Sequence, residues 1–180
     1  MKWIAYMSVV VILLSASYSP AEISDPGGWN KVKWGMTIKE IKEVIKNYKI
    51  ESFEGFEQDN SEKNIYYSYR INDYFIDKYK FVIYFGMNGN GELEVVQFKA
   101  ITGDKGASPQ EFDFIYHFLR KDFGDPIQKM EALKGTAKTY FWEAGKTGIV
   151  LQHIDPSVLK ISDLKANFTI TYMTSKRMKQ

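Results

Sequence analysis

The chain has 180 residues, of which 44% are hydrophobic and 16% aromatic, enough to bury a core of ordinary size. Its net charge is only +2, which argues against a nucleic-acid binder that works by neutralising phosphates. It has no cysteine, which excludes disulfides, thiolate zinc sites, cysteine nucleophiles and a lipid-modified N-terminal cysteine.

At the N-terminus, Lys2 precedes an apolar run, residues 3–14, interrupted only by Ser8. Small residues follow in Ser15-Ala16-Ser17 and Ser19-Pro20-Ala21. The run is short for a membrane-spanning helix, and this order of features predicts a signal peptide over residues 1–21. Cleavage after Ser17 and cleavage after Ala21 both satisfy the small-x-small rule. The expectation is a periplasmic or secreted bacterial protein, with no stable membrane insertion once the signal is removed. A cysteine-free chain suits such a compartment, since its folding does not depend on disulfide chemistry.

Residues 22–29 contain Pro26, Gly27 and Gly28 and read as a flexible lead-in. Residues 31–34 read as a short extended stretch. Thr37 and Glu40 then form a capping box, in which hydroxyl and carboxylate satisfy each other's backbone N–H. Ile38, Ile41, Val44, Ile45 and Tyr48 continue at helical spacing. Residues 49–78 read as strands around a polar loop at 58–63, with Asn72-Asp73 as a turn. Residues 79–99 read as a hairpin, because Asn88-Gly89-Asn90-Gly91 supplies residues that tolerate positive φ. Phe81, Ile83 and Phe85 alternate with Val82 and Tyr84; Leu93 and Val95 alternate with Val96 and Phe98. Strands apolar on both faces are usually central in a sheet.

A loop over 102–107 leads to the second helix, whose ends are strongly marked. Ser108 is the N-cap, Pro109 the first helical residue and Glu111 the return carboxylate; Gly124 and Pro126 stop it. Phe112, Ile115, Tyr116, Leu119 and Phe123 form its apolar stripe. Strands are expected over 126–131, 138–142, 147–154 and 166–173, and the basic tail, 174–180, is expected to fray. The order is helix, strands, helix, strands. It predicts an α+β domain over 30–173, with antiparallel sheet packed by two amphipathic helices. The halves 30–101 and 108–173 suggest two tandem helix-plus-sheet units, either merged in one layer or separate.

The stretch Lys33-Trp34-Gly35-Met36-Thr37, leading into Ile38-Lys39-Glu40-Ile41, resembles the Gly-Met-Thr helix start of small exported bacterial domains. These include the SmpA/OmlA-type outer-membrane assembly lipoproteins and the β-lactamase-inhibitor-protein-like fold. Phe123-Gly124-Asp125-Pro126, Tyr140-Phe141-Trp142-Glu143 and residues 147–151 resemble the second half of many uncharacterised exported proteins. The inhibitor-like fold consists of two tandem helix-plus-sheet units, so the resemblance implies the same duplication. Without a lipid-attachment cysteine, and with Asn47-Tyr48-Lys49 where that lipoprotein type commonly has Gly-x-Pro, the chain departs from the anchored type.

No catalytic constellation is recognised. Asp113 and His117 are four apart on one helix face and can touch, but no nucleophile motif accompanies them. His117 and His153 lack metal-ligand spacing, so no metal and no cofactor is expected. The Asn88–Glu92 segment lacks the alternating carboxylates of a calcium loop and reads as a turn. The tyrosines carry the binding expectation. Tyr66, Tyr69, Arg70 and Tyr74 are candidates for a surface that recognises another envelope protein or a peptide, because tyrosine and arginine are enriched at protein interfaces. Cross-strand packing is the alternative role for those tyrosines. A hydrolase using Asp73, Asp77, Glu92 or Glu94, and a small-ligand binder with an apolar pocket between helices and sheet, are the alternative functions.

Overall fold

The computed structural model of the protein describes residues 25–58, 64–103, 106–132, 135–156 and 165–179. The expected signal peptide lies outside the described residues, as do most of the 58–63 loop and residues 157–164. Among the described residues the elements follow in the order β1 (Gly28–Trp29), β2 (Val32–Lys33), α1 (Ile38–Val44), β3 (Glu51–Gln58), β4 (Ile65–Ile76), β5 (Tyr79–Met87), β6 (Leu93–Ala100), α2 (Pro109–Phe123), β7 (Gln128–Ala132), β8 (Ala137–Ala144), β9 (Thr147–Ile154), β10 (Asn167–Thr174) and α3 (Ser175–Met178).

Both expected capping boxes form. The Thr37 N–H donates to Glu40 Oε2 at 2.8 Å, and the Ser108 N–H donates to Glu111 Oε2 at 2.7 Å. Each helix start is thereby fixed by local chemistry alone. Gly124 ends α2 at φ 72°, a conformation that favours glycine.

One eight-stranded sheet runs in the order β3-β4-β5-β6-β10-β9-β8-β7, antiparallel throughout. The last strand of the first run, β6, pairs with the last strand of the chain, β10, so all these strands share one sheet. The core lies on one face. There Ile83, Phe98, Ile170 and Leu151 are buried in one cluster with Ile41 and Ile45 from the first helical segment and Phe112, Ile115 and Leu119 from α2. The rings of Phe112 and Phe168 meet at 6.2 Å, and those of Tyr79 and Phe114 at 5.0 Å. The opposite face carries a smaller cluster of Ile65, Tyr67 and Val95.

Register irregularities change several expectations. Leu93 and Val95 do not share a face: the ladder shifts between Gly86 and Met87, so Leu93 joins the main core while Val95 packs with Tyr67 on the other side. Asn72-Asp73 is not a turn. The pairing of β4 with β5 shifts between Ile71 and Tyr74 and then continues, and the reversal comes at Asp77, which takes φ 55°. In the next hairpin only Gly91 has a positive φ, 75°. That loop is held by Asn88, whose Oδ1 accepts the N–H groups of Asn90 and Glu92 at 2.9 and 3.0 Å.

Both ends of the described chain are built into the fold. Where a flexible lead-in is expected, β1 pairs with β2 and Trp29 is buried, its ring 5.1 Å from Phe98. Asp25 reaches the β8–β9 turn, accepting the Lys146 N–H at 2.8 Å and the Thr147 hydroxyl at 3.0 Å. Where a frayed tail is expected, α3 forms. The Arg177 Nε–H donates to Glu94 Oε2 at 2.8 Å, and Met178 lies over Gly148. An ion pair so well shielded (side-chain exposure 6% and 20%) needs its partner present to offset desolvation, which ties α3 to β6.

Gly86 provides a test of the register. A Cβ there would come within 3.0 Å of Ile65, Tyr67 and Val95. Gly86→Ala is therefore expected to destabilise the protein by about 1–3 kcal/mol in urea denaturation, as overpacking does. Gly89→Ala, with nothing within 4 Å of the added carbon, is expected to change stability far less.

Candidate binding surface

The face opposite the main core is crossed by a continuous row of residues. Glu51, Arg70, Tyr84, Gln97, Thr171, Val150, Phe141 and Gln128 are successive cross-strand partners from β3 to β7. Because cross-strand partners point to the same side, these side chains form one line across the sheet. From Arg70 to Phe141 every residue of the row is half-buried, whereas the neighbouring row on the core face, Ile83, Phe98, Ile170 and Leu151, is buried throughout. A shallow depression of about 180 Å³ lies on the row, and Tyr67, Gln97, Gln152, Thr171 and Arg177 contribute to its lining.

Arg70 brings a cation to the β4 part of this face. Its guanidinium lies 5.1 Å from the Phe53 ring centre, and Phe53 meets Tyr84 edge-on at 5.6 Å. The Arg70 Nε–H is buried without a hydrogen-bond partner among the described residues. Burying such a donor unpaired costs free energy.

The four residues singled out from the sequence do not form one patch. Arg70 is on the open face. Tyr69 and Tyr74 pack against the main core, with Lys42 of α1 over the Tyr69 ring and Trp29 5.4 Å from Tyr74. Burial pushes the Tyr74 hydroxyl above its ordinary pKa. Tyr66, 41% exposed, lines a second depression with Tyr69, Ile38 and the Asn88–Gly91 turn. The split arises because β4 carries shifts between Tyr67 and Tyr69 and between Ile71 and Tyr74, which strict alternation along the sequence does not reveal. Tyr84, Gln97 and Thr171 join Arg70 in one row only through strand pairing, and Phe53 reaches it from β3 through its ring contacts with Arg70 and Tyr84, so periodicity along single strands does not group them.

The candidate carboxylates also separate. Asp73 pairs with Lys80 at 2.6 Å, and Asp77 sits in the β4–β5 turn. Glu92 and Glu94, at the other end of β5, both accept from the Asn88 amide, at 3.1 and 3.0 Å. With Glu94 also bound to Arg177, that group braces the hairpin against α3. Asp113 and His117 are both exposed on α2. Among the described residues, no group of three or more His, Cys, Asp or Glu side chains could hold a metal ion. Nor is any described helix long and apolar enough to cross a membrane. No family model, no curated protein and no solved structure matches the chain.

His153 is 7% exposed on the core face, 4.8 Å from the Phe112 ring, and neither ring nitrogen has a hydrogen-bond partner among the described residues. Burial holds its pKa below the ordinary imidazole value and Lys138 adds to this, while Asp155 and Asp113 oppose it. The folded protein therefore binds a proton at His153 more weakly than the unfolded chain does. The contribution of this residue to stability is expected to be constant above about pH 6.5 and to fall as pH drops below it, by at most about 1.4 kcal/mol per pH unit, until the folded form is protonated as well. His153→Leu is expected to flatten that part of the stability profile, measured by urea denaturation from pH 7.5 to pH 4.5.

Proposed function

We propose that the chain is an exported, non-enzymatic binding module of the bacterial envelope that recognises a protein or peptide on the open sheet face. In this reading residues 1–21 direct export and are removed. The remainder is an α+β domain of two tandem helix-plus-sheet units merged in one layer, related to the inhibitor-like fold that its Gly-Met-Thr helix start resembles. The periplasm or the exterior is its place of action, and it needs no cofactor.

The observation that carries the reading is Arg70, a cation with an unmet buried donor, flanked by Phe53 and Tyr84 on an uninterrupted row of side chains. Arginine and tyrosine are the residues most often found at the energetic centre of an interface. Gln97, Gln152, Thr169 and Thr171 beside them offer both donors and acceptors, suited to the polar backbone of a bound segment.

The test is capture of binding proteins from envelope extract, followed by affinity measurement with the purified captured protein. Arg70→Ala and Tyr84→Ala are each expected to weaken binding about tenfold or more while the protein stays folded, and Tyr66→Ala to leave it unchanged. Loss of binding in Tyr66→Ala alone would move the site to the depression by the Asn88–Gly91 turn. Equal binding by all variants would overturn the reading.

A further inference from the structure

The two edges of the sheet differ. The edge strand β3 pairs with β4 through a shift between Ser52 and Phe56, an irregularity of the kind that discourages a further strand from adding. The other edge strand, β7, pairs with β8 in unbroken register over Gln128–Ala132, and every residue in it is exposed. Met130 is 54% exposed, and Ile127, just before the strand, is 64% exposed. An edge strand presents backbone N–H and C=O groups that a further strand can satisfy, and two apolar side chains here stand in water beside them.

The charges along β7 specify what fits. Lys129 and Glu131 are two residues apart and point to the same side, with Met130 on the opposite side between them. We propose that β7 is a self-association edge: two copies of this chain pair antiparallel through β7, centred on Met130. In that register Lys129 of one copy faces the partner's Glu131 in both symmetry-related positions, and the two Met130 side chains meet at the axis. Sliding by one step in either direction while keeping the faces aligned brings Lys129 opposite the partner's Lys129, or Glu131 opposite the partner's Glu131. Opposed like charges destabilise a strand pair and opposed unlike charges stabilise it, so the charge pattern selects one register. A two-fold axis perpendicular to the sheet leaves both open faces on the same side of a continuous sheet. The dimer would thus present two copies of that surface side by side.

The absence of cysteine makes the register directly testable. Met130→Cys and Gln128→Cys each introduce a single thiol. Residues directly opposed across antiparallel strands have Cβ atoms about 4.5–5.5 Å apart, close to what a disulfide spans. Copies of residue 128 would be four residues out of register, roughly 13 Å along the strand. Under mild oxidation Met130→Cys is expected to form a covalent dimer and Gln128→Cys is not. By analytical ultracentrifugation the unmodified protein is expected to dimerise, Lys129→Glu to weaken the dimer about tenfold or more, and the double swap Lys129→Glu with Glu131→Lys to restore it. A protein that stays monomeric at millimolar concentration, equal cross-linking by both cysteine variants, or a double swap as weak as the single change would each overturn the proposal.

Discussion

The pairing of β6 with β10 joins strands that are far apart in the sequence, and the continuity of both faces rests on it. Phe98, near the middle of β6, is the centre of that junction. Its ring lies within 6.2 Å of Trp29, Tyr74, Phe81 and Tyr172, which come from β1, β4, β5 and β10. Aromatic contacts of this kind add to the large apolar area such rings bury. Opposite this cluster, the same pairing places Gln97 beside Thr171, without which the row containing Arg70 would end at the edge of β6.

The junction is reinforced at both ends of the described chain. Asp25 lies 121 residues before Lys146 yet accepts its N–H, and the Trp34 indole N–H donates to the Thr147 hydroxyl that also binds Asp25. Burial pushes the Asp25 carboxyl up, but the hydrogen bonds from Lys146, Gly27 and Thr147 outweigh it and hold its pKa below the ordinary value. At the other end Lys179 pairs with Glu143, and the Ser175 N–H donates to the Lys146 carbonyl. The β8–β9 turn is thus clasped from both termini of the described fold, and Gly145 at φ 60° allows the close approach, since a Cβ there would strike the Asp25 carboxylate.

What could be read from the sequence was what local chemistry decides. Thr37 with Glu40 and Ser108 with Glu111 announce helix starts because each box is closed within four residues. The alternation of Phe81, Ile83 and Phe85 gives their common face because β5 is regular there. Val95, Asn72-Asp73 and Tyr69 were misread where a ladder shift intervenes, which depends on the partner strand and leaves little trace in single-strand periodicity. Trp29 and Arg177 were hidden by their neighbours, one in a Gly-Pro stretch and the other in a basic tail, although each is held by distant residues. The candidate surface was only partly legible. Arg70 stood out by type, but Phe53, Tyr84, Gln97 and Thr171 become its neighbours only through the sheet order.

The most direct measurement is native-state hydrogen exchange of the β6 and β10 amides as denaturant is raised. If the junction unites the sheet, the slowest amides of β4–β6 and of β8–β10 are expected to exchange with one common free energy and one denaturant slope, as a single cooperative unit. Two distinct free energies, with the first run of strands opening while the second stays protected, would contradict a continuous sheet as the basis of the binding face.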